Sequence, residues 1–525
     1  MTTNGISTID LLIVVGYFAL VLGLGFYFAR KNKTSEDLFL GGRTFTWGLV
    51  GLSLFASNIS SSTIIGLSGK AYSTGVVQSV YEWMSGVPLL IAAVVFIPLY
   101  LRSRITTIPE FLELRYDARS RNYFSALTII MSVVVEMSGG LYAGALVLKT
   151  FFPDLVIWQT TLLLAAVAGV YTAAGGLRAV VITDALQAII LIVGCTILTY
   201  LLFERVDFDW ARVVASVPEG HLSMVRPADD PDLPWTGLLL GVPFLGFWYW
   251  STNQFIVQRV LGSKDIKHAR WGVMLAGFLK VVPLFIMVIP GVIAITALTG
   301  PIEDPDMVFP TAMKEILPVG LTGLVLAGLI SAIMSSVDST LNSSSTLVVI
   351  DFVKPRLPQA TDAQIARYGR ITTLILTVIA AVWAPQIANF QSLWDYLQLM
   401  FSIVVPPIAV IFLLGVFYKR GNRHGAFYTL YVGTAISLVL VLLSQNGYVG
   451  THYTTNVGIM VAISSIIYVV ASNMTPAPAP EKIENYTYRP ELVSDGMEGL
   501  PWYQDYRFHA VLLVLLMAAI LIYFW

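Results

Sequence analysis

About fourteen stretches of roughly twenty apolar residues follow one another along the chain, and they leave little choice of solvent. They lie near 9–28, 47–68, 76–102, 121–152, 156–173, 178–203, 235–256, 271–298, 317–350, 370–388, 393–417, 425–444, 455–472 and 508–525. Each is long enough, as a helix, to cross a hydrocarbon layer about 30 Å thick. Inside lipid only helices and closed barrels satisfy their own backbone groups, so the expected fold is an all-α integral membrane protein of about 14 transmembrane helices. Only 12% of the residues are charged and 56% are hydrophobic, against about 25% charged in an ordinary soluble domain, which excludes a soluble core. The net charge of −1 gives no footprint for nucleic acid. The lone Cys195 sits in an apolar run and reads as a small core residue. The opening MTTNGISTID has neither a basic n-region nor a small-residue cleavage site, so the first span is expected to stay in the product.

Orientation follows from the loops, because Lys and Arg resist translocation. Basic residues cluster after the first span (Arg30, Lys31, Lys33, Arg43) and after the third (Arg102, Arg104, Arg115, Arg119, Arg121). The alternation continues with Arg178, then Arg259, Lys264, Lys267 and Arg270, then Lys354, Arg356, Arg367 and Arg370, and last Lys419, Arg420 and Arg423. The opposite loops are acidic, with Glu204, Asp207, Asp209, Glu219, Asp229, Asp230 and Asp232 in one and Glu303, Asp304 and Asp306 in another. This pattern puts the N- and C-termini on the extracytoplasmic side and makes the Pro-rich stretch 473–507 a cytoplasmic linker. The expected location is the cell membrane, as a multi-pass protein of a bacterial inner membrane.

Two spans are ill suited to be continuous helices. In the second, GLVGLSLFASNISSSTIIGLSG, the cluster Ser57, Asn58, Ser60, Ser61, Ser62 and Thr63 falls at mid-span. About 190 residues later GLLLGVPFLGFWYWSTNQF carries Pro243 and Gly246, then Ser251, Thr252, Asn253 and Gln254. Small polar side chains bond backbone groups freed by an unwound turn, as at a cavity, or they simply pack helices together. Five spans separate the two openings. An odd-numbered unit, repeated, inserts in opposite orientations, and a broken first helix in each copy is the mark of inverted-repeat transporters.

The ninth span, LAGLISAIMSSVDSTLNSSST, sets Ala332, Ser335 and Ser336 on one helix face. A hard monovalent cation needs several oxygens. Two hydroxyls here, with carbonyls freed at the broken second span, supply such a set. Asp338 and Ser339 continue the stripe, and Asp184 lies within VVITDALQA. Intramembrane carboxylates mark ion paths or proton relays by default, although an Asp near a helix end also serves as a cap. On the third span Glu82 and Ser85 lie one turn apart with Tyr81 beside them, and Lys280 sits in MLAGFLKVVPLF. A Glu to Lys pair across a cavity would neutralise both charges and present donors and acceptors to hydroxyls; a structural ion pair is the alternative. Tyr249 and Trp250 offer flat faces to a sugar ring, or packing alone.

The segments ASNIS, YEWMS, TIPEFLELRY, YTAAGGLRAVVITD, YWSTNQFIVQR and SSVDSTLNSSSTLVVID, in this order, resemble the solute:sodium symporter family, in particular its sodium/glucose (sodium/galactose) branch. The resemblance spans essentially the whole chain. It implies a leucine-transporter-like five-plus-five inverted repeat with peripheral helices. The corresponding division is an extra helix and loop at 1–46, a first repeat at 47–203, an extracytoplasmic loop at 204–234, a second repeat at 235–420, and three peripheral helices with the linker at 421–525. It implies a sodium site built from the carbonyls of Ala56, Ile59 and Ala332 and the hydroxyls of Ser335 and Ser336. It further implies a second cation site at Asp184, Ser336, Asp338 and Ser339, in which Asp338 stands where relatives carry Ser or Thr. Sugar-binding positions match Asn58, Glu82, Ser85, Lys280 and Gln398. Tyr249 matches an inner stacking gate, and Tyr81 and Trp394 match an outer gate.

Three positions depart from the branch. Thr63 replaces Gln or His, Gly246 replaces Asn, and Glu136, in VVVEMSGGLY, replaces Asn or Lys. A carboxylate at 136 disfavours an anionic substrate by like-charge repulsion and favours a hydroxyl-rich or amino-bearing one. The expected function is sodium-coupled symport of a small neutral polyhydroxylated solute, a hexose, with Na⁺ as the coupling ion. Carriage of a polyol or inositol, an amino sugar or another small solute, and proton coupling through Asp184 or Asp338, are the alternatives. Partners are the solute, Na⁺ and lipid, with no nucleic acid, no obligate protein and no other cofactor; no enzyme motif is visible.

Overall fold

The computed structural model describes residues 6–29, 34–390 and 393–525; Arg30, Lys31 and Lys33 of the first basic flank lie outside them. Helix dominates, and no strand occurs among the described residues. Among the described residues ten helices are long and apolar enough to cross a membrane, or eleven when one bent pair is joined. In chain order the elements that position the site are α1 (Thr8–Ala29), the bent pair α2 (Trp47–Asn58) and α3 (Ser61–Thr74), α4 (Val76–Arg102), α5 (Ile108–Arg115) and α6 (Ala118–Phe151). Next come α7 (Ile157–Gly169), α8 (Gly176–Glu204), α9 (235–252), α10 (Gln254–Leu261) and α11 (Ile266–Ala297). The rest are α12 (Leu321–Arg356), α13 (Asp362–Asn389), α14 (Leu393–Phe417), α15 (Arg423–Gln445), α16 (Tyr453–Asn473) and α17 (Tyr506–Tyr523).

Burial sorts these helices. In α12, 88% of the most apolar stretch is inside the protein, whereas in α17 the figure is 22%. α12 is therefore central, packed on α2, α6, α8 and α10, and α17 is peripheral, leaning on α4 and α11. The sequence explains the difference. α12 is rich in Ser, Gly and Ala, whose small side chains let backbones approach, while α17 is Leu-rich and lipid-compatible.

Both expected interruptions are present. α2 and α3 meet at 59°, with Ile59 and Ser60 out of helical conformation between them. Ser60 restarts the helix as an N-cap, its hydroxyl accepting from the Thr63 amide at 3.1 Å. The second break falls at Asn253, extended at φ −74° and ψ 124°, whose side chain caps α10. A helix end inside a membrane has no water to bond its free amides, so a polar cap at each break is what the environment requires.

Two findings modify the loop-charge pattern. Arg115, Arg259 and Arg270, counted above among solvated flanks, are all fully buried. Arg115 donates to the Gly415 carbonyl at 2.8 Å and Arg270 to the Ala93 carbonyl at 3.0 Å, and Arg259 enters the site described below. The stretch 473–507 is also docked rather than a free tether. It contains a short helix, Pro480–Tyr486, buries Leu492 and Met497, and offers the carbonyls of Leu492 and Asp495 to Arg270. A guanidinium with five donors, buried against several carbonyls, ties such an irregular segment to the bundle.

Candidate substrate cavity and cation site

The first break frees the two carbonyls that the cation reading needs. In an unbroken helix the Ala56 carbonyl would accept from the Ser60 amide, but that amide bonds the Asn58 carbonyl at 3.0 Å. The Ile59 carbonyl would accept from the Thr63 amide, which the Ser60 hydroxyl takes instead. Opposite, on α12, Ser336 donates to the Ala332 carbonyl at 2.9 Å and Ser335 donates to Asp184 Oδ1 at 2.6 Å. Each hydroxyl spends its proton on another group and keeps oxygen lone pairs for a cation.

Beside this set lies a buried charge cluster. Asp184 Oδ2 accepts from Ser53 at 2.6 Å, from Ser57 at 3.1 Å and from Arg259 Nη2 at 3.1 Å, and neither Asp184 nor Arg259 is solvent-exposed. Arg259 also donates to the hydroxyls of Ser53 and Ser339. The four residues assigned to a second cation site are therefore divided. Asp184 and Ser339 are held by the guanidinium, and Ser336 turns back onto its own helix. Asp338 is different. It is fully buried, one oxygen accepts from Ser339 at 3.2 Å, and Oδ2 has no hydrogen-bond partner among the described residues.

The candidate substrate positions surround a central cavity. Asn58, Thr63, Tyr81, Glu82, Ser85, Glu136, Gly246, Tyr249, Trp250, Trp394 and Gln398 all line it, and Ser336 connects it to the cation set. Lys280 stands just behind the wall. Its ammonium donates to both Glu82 and Asn58 and lies 5.6 Å from the Trp250 ring centroid. Glu82, Lys280 and Asn58 thus form one neutral polar group. On one flank the ring of Tyr81 meets Trp394 edge-on at 5.3 Å, and the Tyr81 hydroxyl pairs with that of Tyr453 at 2.6 Å. Beneath, Tyr249 is wedged among Trp248, Trp250 and Phe255 with centroids 5.3 to 6.2 Å away.

Comparison with known proteins decides what this assembly belongs to. The sodium:solute symporter family model matches residues 38–433. The chain belongs to this family. Curated relatives include a sodium/glucose cotransporter 4 of Danio rerio, 33% identical with 90% of this chain and 80% of that protein covered. A sodium/mannose cotransporter of Bos taurus is 34% identical (92% and 89% covered), and a sodium/myo-inositol cotransporter of Homo sapiens is 33% identical (92% and 76%). Among solved structures, a substrate-bound, outward-open Na⁺-coupled sialic acid symporter matches with a TM-score of 0.80 at 22% identity, over 90% of this chain and 99% of that one. Mhp1, a nucleobase-cation-symport-1 family transporter, matches with a TM-score of 0.55 at 15% identity, over 87% and 99%. These two likenesses speak to fold alone. The protein is a sodium:solute symporter and not an enzyme.

At the three departures the symporter has local reasons for its residues. Thr63 turns its hydroxyl onto the Asn58 carbonyl at 3.2 Å, so it serves the break as well as the cavity wall. A Cβ on Gly246 would lie 3.1 Å from Pro88 Cγ, so glycine lets α9 close on α4. Glu136 accepts from the Asn253 amide at 3.0 Å and from Ser132 at 3.2 Å, joining α6 to the second break. Sequence reasoning missed two members. Arg259 was hidden by its basic neighbourhood, although its run QFIVQRVL is apolar enough to have marked it as an intramembrane charge. Asn253 was read as part of a break, not as a partner of Glu136.

Proposed function

We propose that this sodium:solute symporter imports a hexose-sized polyhydroxylated solute through the central cavity, coupled to Na⁺ held by the carbonyls of Ala56, Ile59 and Ala332 and the hydroxyls of Ser335 and Ser336. The observation that carries the solute class is the Glu82, Lys280 and Asn58 group. It brings donors and acceptors to an aromatic-walled cavity without net charge, which suits a ring bearing several hydroxyls. The relatives named for glucose, mannose and myo-inositol support the same class.

In this reading sodium bridges α2 and α12 and favours the conformation that accepts solute, because coupling requires different affinities in different states. Solute then draws Tyr81 and Trp394 over the outer side of the cavity. Release of sodium to the cytoplasm loosens the α2 to α12 contact, Tyr249 moves, and the solute follows. The long helices, the bent pair, the shorter apolar Thr8–Leu24 and Ile157–Gly169, and the α9–α10 span support a total of fourteen crossings in the cell membrane. An even number puts both termini on one side, and the loop charges favour the extracytoplasmic one. The units 47–203 and 235–420, each opening on an interrupted helix, are the two inverted repeats, with 1–46, the loop 204–234 and the peripheral 421–525 added to them.

The test is uptake into proteoliposomes of radiolabelled glucose, mannose and myo-inositol under an inward sodium gradient, with choline as replacement. Sodium-dependent accumulation of at least one supports the reading. Equal uptake in choline, or accumulation driven by a proton gradient alone, overturns it.

A further inference from the structure

Two carboxyl groups face the cavity, and only one of them has a cationic partner among the described residues. Among the described residues lining the cavity the only carboxyl groups are those of Glu82 and Glu136. Glu82 is matched by Lys280. Arg259 is engaged by Asp184. Among the described residues Glu136 has no cationic partner; its hydrogen bonds are to the neutral amide of Asn253 and the hydroxyl of Ser132. It projects from the π-helical turn Met131–Met137 of α6 and is only partly buried, its open side on the cavity. Two neutral donors occupy two of about four acceptor positions on a carboxylate, so capacity remains toward the ligand. An ionised carboxylate without a cationic partner becomes expensive once the cavity closes around a solute, and a cation supplied by the ligand removes that cost.

Resting on the reading of this cavity as the substrate site, we infer that Glu136 makes the preferred solute an amine-bearing polyol, such as an amino sugar, whose ammonium pairs with the Glu136 carboxylate while its hydroxyls meet Asn58, Glu82 and Gln398. The solute's charge and Glu136 neutralise one another on closure, as Lys280 and Glu82 already do. A neutral polyol leaves the carboxylate unpaired, and an anionic one adds repulsion.

Three ring-matched probes separate charge from shape: glucose, glucosamine and N-acetylglucosamine. Binding is measured on the purified full-length protein in saturating sodium at pH 7, by the shift in thermal unfolding with probe concentration. A charged hydrogen-bonded contact in place of a neutral one predicts that glucosamine binds about tenfold or more tighter than glucose. N-acetylglucosamine, having lost the charge, falls back to the level of glucose or below. In Glu136→Gln the preference for glucosamine over glucose collapses to about one, while sodium-dependent stabilisation persists and reports an intact fold. If that variant does not fold, the same comparison is made in Glu136→Asn.

Glucose binding as tightly as glucosamine to the unmodified protein overturns the inference and leaves the cavity assignment standing. A glucosamine preference that survives removal of the carboxylate also overturns it. If none of the probes, nor mannose nor myo-inositol, shifts unfolding in sodium, the cavity assignment fails and the inference with it.

Discussion

Arg259 meets Asp184 at 3.1 Å in the buried interior, the arginine from the second interrupted helix and the aspartate from α8. Around the pair, Ser53 and Ser57 of α2 and Ser335 and Ser339 of α12 complete the hydrogen bonding. One ion pair therefore ties both interrupted helices to the central helix, and Ser335 belongs at once to this cluster and to the proposed cation site.

Breaking that pair from one side is expected to cost about 3–5 kcal/mol, because the survivor stays buried without its partner. Asp184→Asn and Arg259→Met should each lower the unfolding temperature in detergent substantially, while the double variant should recover a large part of the loss. A double-mutant cycle with a coupling energy near zero would show that the two side chains act independently.

At the proposed cation site, Ser336→Ala would remove one hydroxyl ligand and leave the backbone carbonyls in place. The sodium concentration for half-maximal uptake should rise about tenfold or more, by analogy with loss of one charged hydrogen bond, with a smaller change in maximal rate. An unchanged sodium requirement would remove Ser336 from the site.

Glu82→Ala should abolish polyol uptake yet keep stabilisation by sodium. The reason is that Glu82 lines the cavity and holds Lys280, whereas the carbonyls proposed for sodium, those of Ala56 and Ile59, lie at the first break. Retained uptake would make the Glu82 to Lys280 pair a purely structural brace.

Asp338 is the open carboxylate on the central helix, with Oδ2 unmet by any described residue. If it holds a second sodium, Asp338→Ala lowers the ratio of sodium to solute carried per cycle, measured from reversal potentials in proteoliposomes. An unaltered ratio assigns it another role, and a new dependence on the proton gradient in the native protein would make that role protonation.

Much of this architecture was readable before any coordinates, for physical reasons that differ by residue. The breaks at Ile59 to Ser60 and at Asn253 were legible because a run of Ser, Asn and Thr is costly in a continuous lipid-facing helix. The Glu82 to Lys280 pairing was legible because two intramembrane charges of opposite sign must find partners. That Ser335 and Ser336 share a helix face with Ala332 followed from helical spacing. Arg259 was not legible, since counting basic residues near a span end cannot distinguish a solvated guanidinium from one turned inward. The docking of 473–507 was also hidden. Its Pro-rich composition reads as a tether, and only the buried Arg270 shows the segment to be fastened. Gly246 reads in the sequence only as a glycine where the branch has Asn, whereas its closeness to Pro88 is a property of packing.

The central claim is that sodium at the α2 to α12 junction and a polyol in the adjoining cavity favour one another. Linkage makes this measurable in both directions, because the factor by which sodium tightens solute must equal the factor by which solute tightens sodium. The direct measurement is calorimetric titration of the purified protein with glucosamine and with glucose, each in sodium and in choline, followed by sodium titration with and without the tighter solute. The account predicts solute affinity at least fivefold higher in sodium, with the same factor in the reverse experiment. Equal solute affinity in sodium and in choline would contradict it.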